Sequence, residues 1–157
     1  MVPEGKSLIL PPHLNAKLEK FAHMATLRIE YLGGLRTQAT HLKSGNTIVT
    51  DAPIDNNGLG EAFSPTDLVA TAYISCMLTI IGIYCDKNGL EFKKGNGSVD
   101  KIMGSGPRRV SRLEIELDLT GNGWSEEEQK AVISAAEACP VAKSVHEEIE
   151  LEFKYSF

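Results

Sequence analysis

Leu68 to Cys85 is a run of 18 residues without one charged side chain. A chain of 157 residues has to hide such a run, so the run dictates what the rest can fold around. It meets the lower length limit for a membrane span. It also carries Thr71, Ser75, Thr79 and Gly82, and it is bounded by Asp67 and Asp86. No Lys or Arg stands immediately at either end to anchor it among lipid headgroups. The boundaries are those of a helix. Ser64 fits the N-cap, Pro65 the first helical position and Asp67 the third position of a capping box. Asn88-Gly89 supplies a left-handed stop. The run therefore reads as a helix buried on nearly all sides within a core, and not as a membrane span.

Strand patterns surround it. Leu27, Ile29 and Tyr31 alternate with Thr26, Arg28 and Glu30. Gly33-Gly34 breaks that strand, and a second runs from Leu35 to about Leu42. Lys43-Ser44-Gly45-Asn46 is a turn before a third strand, Thr47 to Thr50. Asp51 to Phe63 reads as a loop. After the helix come strands at Ser98 to Met103 and Val110 to Leu119. In the second of these, Leu113, Ile115, Leu117 and Leu119 face the core. Ser125 and Glu128 form a second capping box for a helix ending near Ala138. Ile149 to Phe157 alternates again as a strand. The order β-β-β-α-β-β-α-β is that of an α+β domain, spanning residues 25–157. Residues 1–24 hold Pro3, Pro11, Pro12 and a short helical stretch, Leu14 to Phe21. They read as an N-terminal extension or tag-like segment outside the fold.

Charge and cysteine usage narrow the function. The net charge is −5 and no basic block exists, which argues against nucleic acid as a partner. The three cysteines form no C-x-x-C pair and no histidines cluster near them, so no metal or cofactor is expected. An odd cysteine count without a secretory signal points to a reducing, cytoplasmic compartment.

The cysteines themselves admit two readings. Cys76 lies within the uncharged helix, and Cys139 stands 63 residues later in Ala138-Cys139-Pro140-Val141. They are either a two-cysteine redox site or small core residues, the usual fate of a free cysteine. Val69, Ala72, Tyr73, Thr79, Ile80 and Ile83 share the helix face of Cys76. Cys85 lies nine residues on, hence on the opposite face, and reads as an apolar filler. Cys139 is either a break between helices or the N-cap of a short final helix. In the second case the helix dipole would favour its thiolate.

Ser64-Pro65-Thr66-Asp67-Leu68 through Cys76, followed by Cys139-Pro140-Val141, resembles the OsmC/Ohr family of thiol-dependent hydroperoxide reductases. Ile29-Glu30-Tyr31-Leu32-Gly33-Gly34-Leu35-Arg36, Lys101-Ile102-Met103-Gly104 and Pro107-Arg108-Arg109-Val110 are similar to its OsmC-like branch. The resemblance covers about Ala25 to Phe157. It implies an intertwined homodimer, with antiparallel sheets wrapped around long buried central helices and active sites at the dimer interface. It implies a peroxidatic cysteine at Cys76, a resolving cysteine at Cys139 and a catalytic arginine, for which Arg36 is the nearest match. An organic hydroperoxide is the implied substrate, and a dithiol the implied reductant.

One position departs from the family pattern. The glutamate that fixes the arginine stands ten residues before the reactive cysteine in the organic-hydroperoxide branch, and that position here is Thr66. Asp67 beside it is accounted for by capping. Glu61 is a candidate if the loop folds back. Arg36 as a plain salt-bridge residue remains an alternative. Arg108 and Arg109 read as surface turn residues, and His146 as solvent-facing. Three functions follow from this. The chain is a peroxidase for organic hydroperoxides, a non-catalytic protein of the same fold holding an apolar ligand in the dimer-interface pocket, or a structural dimer whose cysteines only pack.

Overall fold

A computed structural model describes residues 25–157. The extension at 1–24 and its short helical stretch lie outside the described residues. The chain forms two compact units, one up to Ala62 and one from Phe63 to Phe157.

The first unit is a three-stranded antiparallel meander. Its strands are β1 (Leu27–Gly33), β2 (Arg36–His41) and β3 (Thr47–Asp51), in that order. Gly33, Gly34 and Leu35 all adopt positive φ, so the β1–β2 turn needs its two glycines. Leu35 takes the same conformation, and its N–H donates to Tyr31 Oη at 3.2 Å. Register pairs Ile29 with Ala39 and Ala39 with Ile48, so these three share one face. That face stays open: Ile29 is 60% and Tyr31 64% exposed.

The second unit holds α1 (Pro65–Asn88), β4 (Asn96–Ser105), β5 (Arg108–Asp118), α2 (Glu126–Glu137) and β6 (Glu150–Ser156). Both capping boxes form as read. Ser64 Oγ accepts from Asp67 N–H, and Ser125 Oγ accepts from Glu128 N–H. Gly89 closes α1 in the left-handed conformation. The element order is the expected one, and the leucine face of β5 is buried through Leu113, Ile115, Leu117 and Leu119.

Two features differ from expectation. The sheet is not wholly antiparallel: β5 pairs antiparallel with β4 but parallel with β6. The physical reason is the crossover, since a parallel pair needs a long connection and α2 with its flanking turns provides one. Nor is α1 buried on nearly all sides. Ala70, Tyr73, Ile74, Met77, Ile81 and Cys85 are buried, while Val69 and Ile83 stay exposed. One sheet and one helix can cover only one stripe of a cylinder. By length and apolarity α1 would pass for a membrane span, yet its buried stripe packs in the core with Leu113, Leu117, Val132 and Ala136.

The α1 stripe meets β4 at a glycine. A Cβ on Gly97 would lie 2.7 Å from Ile74 Cγ2 and 2.9 Å from Leu117 Cδ2. Gly97→Ala is therefore predicted to cost about 1–3 kcal/mol through overpacking. Denaturant unfolding would check this, because an unchanged midpoint would mean the contact relaxes freely.

Candidate active site

Cys76 sits at the margin of the buried stripe, half-buried, between buried Tyr73 and Met77. Its place along the chain axis depends on the start of α1. There Lys101 Nζ, reaching from β4, donates to Asp67 Oδ1 at 2.6 Å and Thr66 Oγ1 at 2.8 Å. A longer contact of 3.4 Å goes to Ser64 Oγ. Burial works to raise the Asp67 carboxyl. The hydrogen bonds from Lys101 and Ser64 together outweigh it and hold the group below its ordinary range. Thr66, the position of the family glutamate, is thus occupied by the helix-start network.

Cys139 follows α2 directly and is fully buried. No final helix forms after Pro140: the chain makes hydrogen-bonded turns, with Lys143 N–H donating to Cys139 O and Val145 N–H to Val141 O. Ala142 N–H donates to Cys139 Sγ at 3.4 Å, so Cys139 caps a turn and not the start of a helix. The capping does not set the thiol's titration. Burial pushes the Cys139 thiol up, and the backbone N–H groups of Ala142 and Val141 pull only partly against it. The neighbouring Cys76 adds to the rise, through a hydrogen bond between the two thiols and through charge. Of the two readings of Cys139, a helix N-cap that favours the thiolate would have to work against this burial.

The two thiols, 63 residues apart in sequence, are near enough for Cys76 to raise the Cys139 thiol, and both are free. Cys85 is fully buried, with its thiol raised by burial and by Asp86. It stands apart from the pair as a filler of the core, as its helix face implied.

Tyr73 lies beside the pair. Tyr73 is almost wholly buried, and its hydroxyl is pushed up to about 12 by burial, with Cys139, Glu137 and Cys76 adding charge effects. Its ring lies 6.3 Å from Phe153. Tyr155 Oη donates to Glu137 Oε1 at 2.9 Å, joining β6 to the last turn of α2 just before Cys139. Glu137 and Tyr155 were missed in the sequence, because nothing in either segment marks a pairing across 18 residues.

In the first unit, Arg36 Nη1 lies 3.1 Å from Glu61 Oε2. The loop after β3 does fold back, and Glu61 is the carboxylate that pairs with Arg36. Of the other sequence candidates, Arg108 and Arg109 start β5 and so lie in a strand, the turn being confined to Gly106-Pro107; Arg109 pairs with Glu148 at 3.1 Å, while His146 is exposed. Among the described residues no group of histidine, cysteine and carboxylate side chains could hold a metal.

A family profile, OsmC-like protein, matches residues 58–154. A solved Psychrobacter arcticus structure, named for an osmotic stress induced and detoxification response, is 45% identical with a TM-score of 0.80. The match covers 85% of this chain and 96% of that one. An organic hydroperoxide resistance protein OsmC from Legionella pneumophila shares the fold at 18% identity and a TM-score of 0.66, covering 85% and 98%. The organic hydroperoxide resistance protein OhrB of Bacillus subtilis does so at 14% identity and a TM-score of 0.60, covering 85% and 99%. No curated protein sequence matches the chain.

Two outcomes would check these electrostatics. Lys101→Met is predicted to destabilise the protein at neutral pH by on the order of 1 kcal/mol, the upper end for a partly exposed pair. A carboxyl lowered in the folded state stabilises above its unfolded value, and that stabilisation is lost as pH falls through the folded value. The deficit should therefore shrink below about pH 4 when unfolding is followed across pH. In a Cys76→Ser, Cys85→Ala protein, ultraviolet thiolate absorbance from Cys139 should appear at higher pH than in free cysteine. Appearance at or below that pH would mean that the cap outweighs burial.

Proposed function

We propose that this chain, which belongs to the OsmC-like protein family, is a thiol-dependent peroxidase that reduces organic hydroperoxides. The observation that carries the reading is the nearness of half-buried Cys76 to fully buried Cys139, close enough for one thiol to shift the other. One thiol is open to a substrate and the other is held in wait behind it.

In this reading the Cys76 thiolate attacks the terminal oxygen of the hydroperoxide. The O–O bond breaks, the alkoxide leaves and takes a proton as the alcohol, and Cys76 becomes a sulfenic acid. Cys139 then attacks the sulfenic sulfur. The S–S bond forms, and the displaced hydroxide leaves as water with the Cys139 proton. A dithiol reductant restores both thiols by exchange. A Cys139 kept protonated by burial suits this order, since it donates to the Cys76 thiolate before oxidation and is spent only afterwards. Arg36, paired with Glu61, is the guanidinium that stabilises charge on the thiolate and the leaving oxygen. Apolar residues on the Cys76 side of α1, among them Ala72, Tyr73 and Ile80, favour an alkyl-bearing peroxide over hydrogen peroxide.

The working form is a homodimer with its sites at the subunit interface. The exposed Ile29 and Tyr31 of β1 and the exposed Val69 and Ile83 of α1 support this, because apolar faces of this kind are covered in stable proteins. The location that fits the free thiols is the cytoplasm.

The test is single-turnover oxidation by an organic hydroperoxide, with free thiols counted before and after. Wild type should lose two thiols rapidly, Cys76→Ser none of them rapidly, and Cys139→Ser should stop at a sulfenic acid. Oxidation of wild type no faster than that of a small free thiol would sink the reading.

A further inference from the structure

Asp51, the last residue of β3, is 0% exposed, an unusual place for a carboxylate. Its Oδ2 accepts the backbone N–H of Glu61 at 2.9 Å. Its Oδ1 is buried with no hydrogen-bond partner among the described residues. Burying a carboxylate on so few hydrogen bonds is costly, and a position that serves packing alone would carry an apolar residue. The contact it does make falls on a loop residue whose side chain reaches Arg36. Asp51 is also the register partner of Arg36 across the β2–β3 pair, so the anchor and the guanidinium rise from neighbouring strands.

We propose that Asp51 is a positioning residue: its carboxylate holds the Glu61 backbone so that the Glu61 side chain stays against Arg36. The inference rests on the peroxidase reading for its consequence, though not for its geometry. The loop has a second tie, Gly60 N–H to Ala52 O at 3.2 Å, which closes the neck independently of Asp51. Asp51 therefore acts on one residue, and the loop as a whole does not depend on it. An amide oxygen can accept the same N–H, so Asp51→Asn keeps the function and Asp51→Ala removes it.

Amide hydrogen exchange on the full chain tests this. In wild type the Glu61 amide should exchange about tenfold or more slowly than it does once its charge-assisted acceptor is removed. Asp51→Ala should speed Glu61 and leave Gly60 protected, and Asp51→Asn should restore Glu61. In the peroxidase assay, Asp51→Ala and Glu61→Gln should lower kcat/KM by the same factor, and the double variant by no more than that factor. A wild-type Glu61 amide as fast as its loop neighbours overturns the proposal, whether or not the alanine variant folds. So does joint exposure of Glu61 and Gly60 in Asp51→Ala, failure of Asp51→Asn to restore protection, or additive losses in the double variant. If wild type has no peroxidase activity, the functional reading fails alone, and the exchange data still decide the role of Asp51.

Discussion

Everything in the second unit depends on one apolar seam. Ala70, Tyr73, Ile74, Met77, Ile81 and Cys85 of α1 are buried in one core with the inward leucines of β5 and with Val132 and Ala136 of α2. Each large side chain fully withdrawn from water contributes about 1.5–3 kcal/mol, so this stripe dominates the stability of the unit. It also fixes rotation. With Met77 and Ile81 turned inward, Cys76 has to lie at the edge of the seam, half in the core and half in water.

The same seam sets the second thiol. Val132 and Ala136 seat α2, and Cys139 lies at the end of that helix, one residue beyond its C-cap. Burial that stabilises the fold thus also desolvates Cys139 and keeps it a thiol, against the pull of the N–H groups it caps. Glu137 and Tyr155 tie this end of α2 to β6. The groups that hold the core together also determine which cysteine is half-buried and which is fully buried.

Polar staples then trim both units. Lys101 gathers Ser64, Thr66 and Asp67 at the head of α1. Arg36 and Glu61 meet across a loop whose neck is closed twice, by Gly60 on Ala52 and by Glu61 on Asp51. A lysine-centred cluster and a buried carboxylate contribute less to stability than the seam does, since desolvation offsets much of their Coulomb energy. Their value lies in geometry, because each removes a freedom that an apolar contact would leave.

The elements were legible in the sequence because their signals are local. Capping boxes at Ser64 and Ser125, the glycine stop at Gly89 and the leucine alternation of β5 each involve residues within a few positions. Helical spacing alone put Cys85 on a different face from Cys76. Pairings across long separations have no such signal. The meeting of Cys76 with Cys139, the parallel seating of β6 on β5 and the return of Glu61 to Arg36 all close long loops. Asp51 was read only as the first residue of a loop, since burial of a carboxylate is not written in its neighbours. The sequence by itself determined which segments are helix or strand and which residues carry chemistry, through periodicity and capping. Only the tertiary structure decided which of those residues touch and how much water each keeps, because desolvation and contact depend on packing between distant segments.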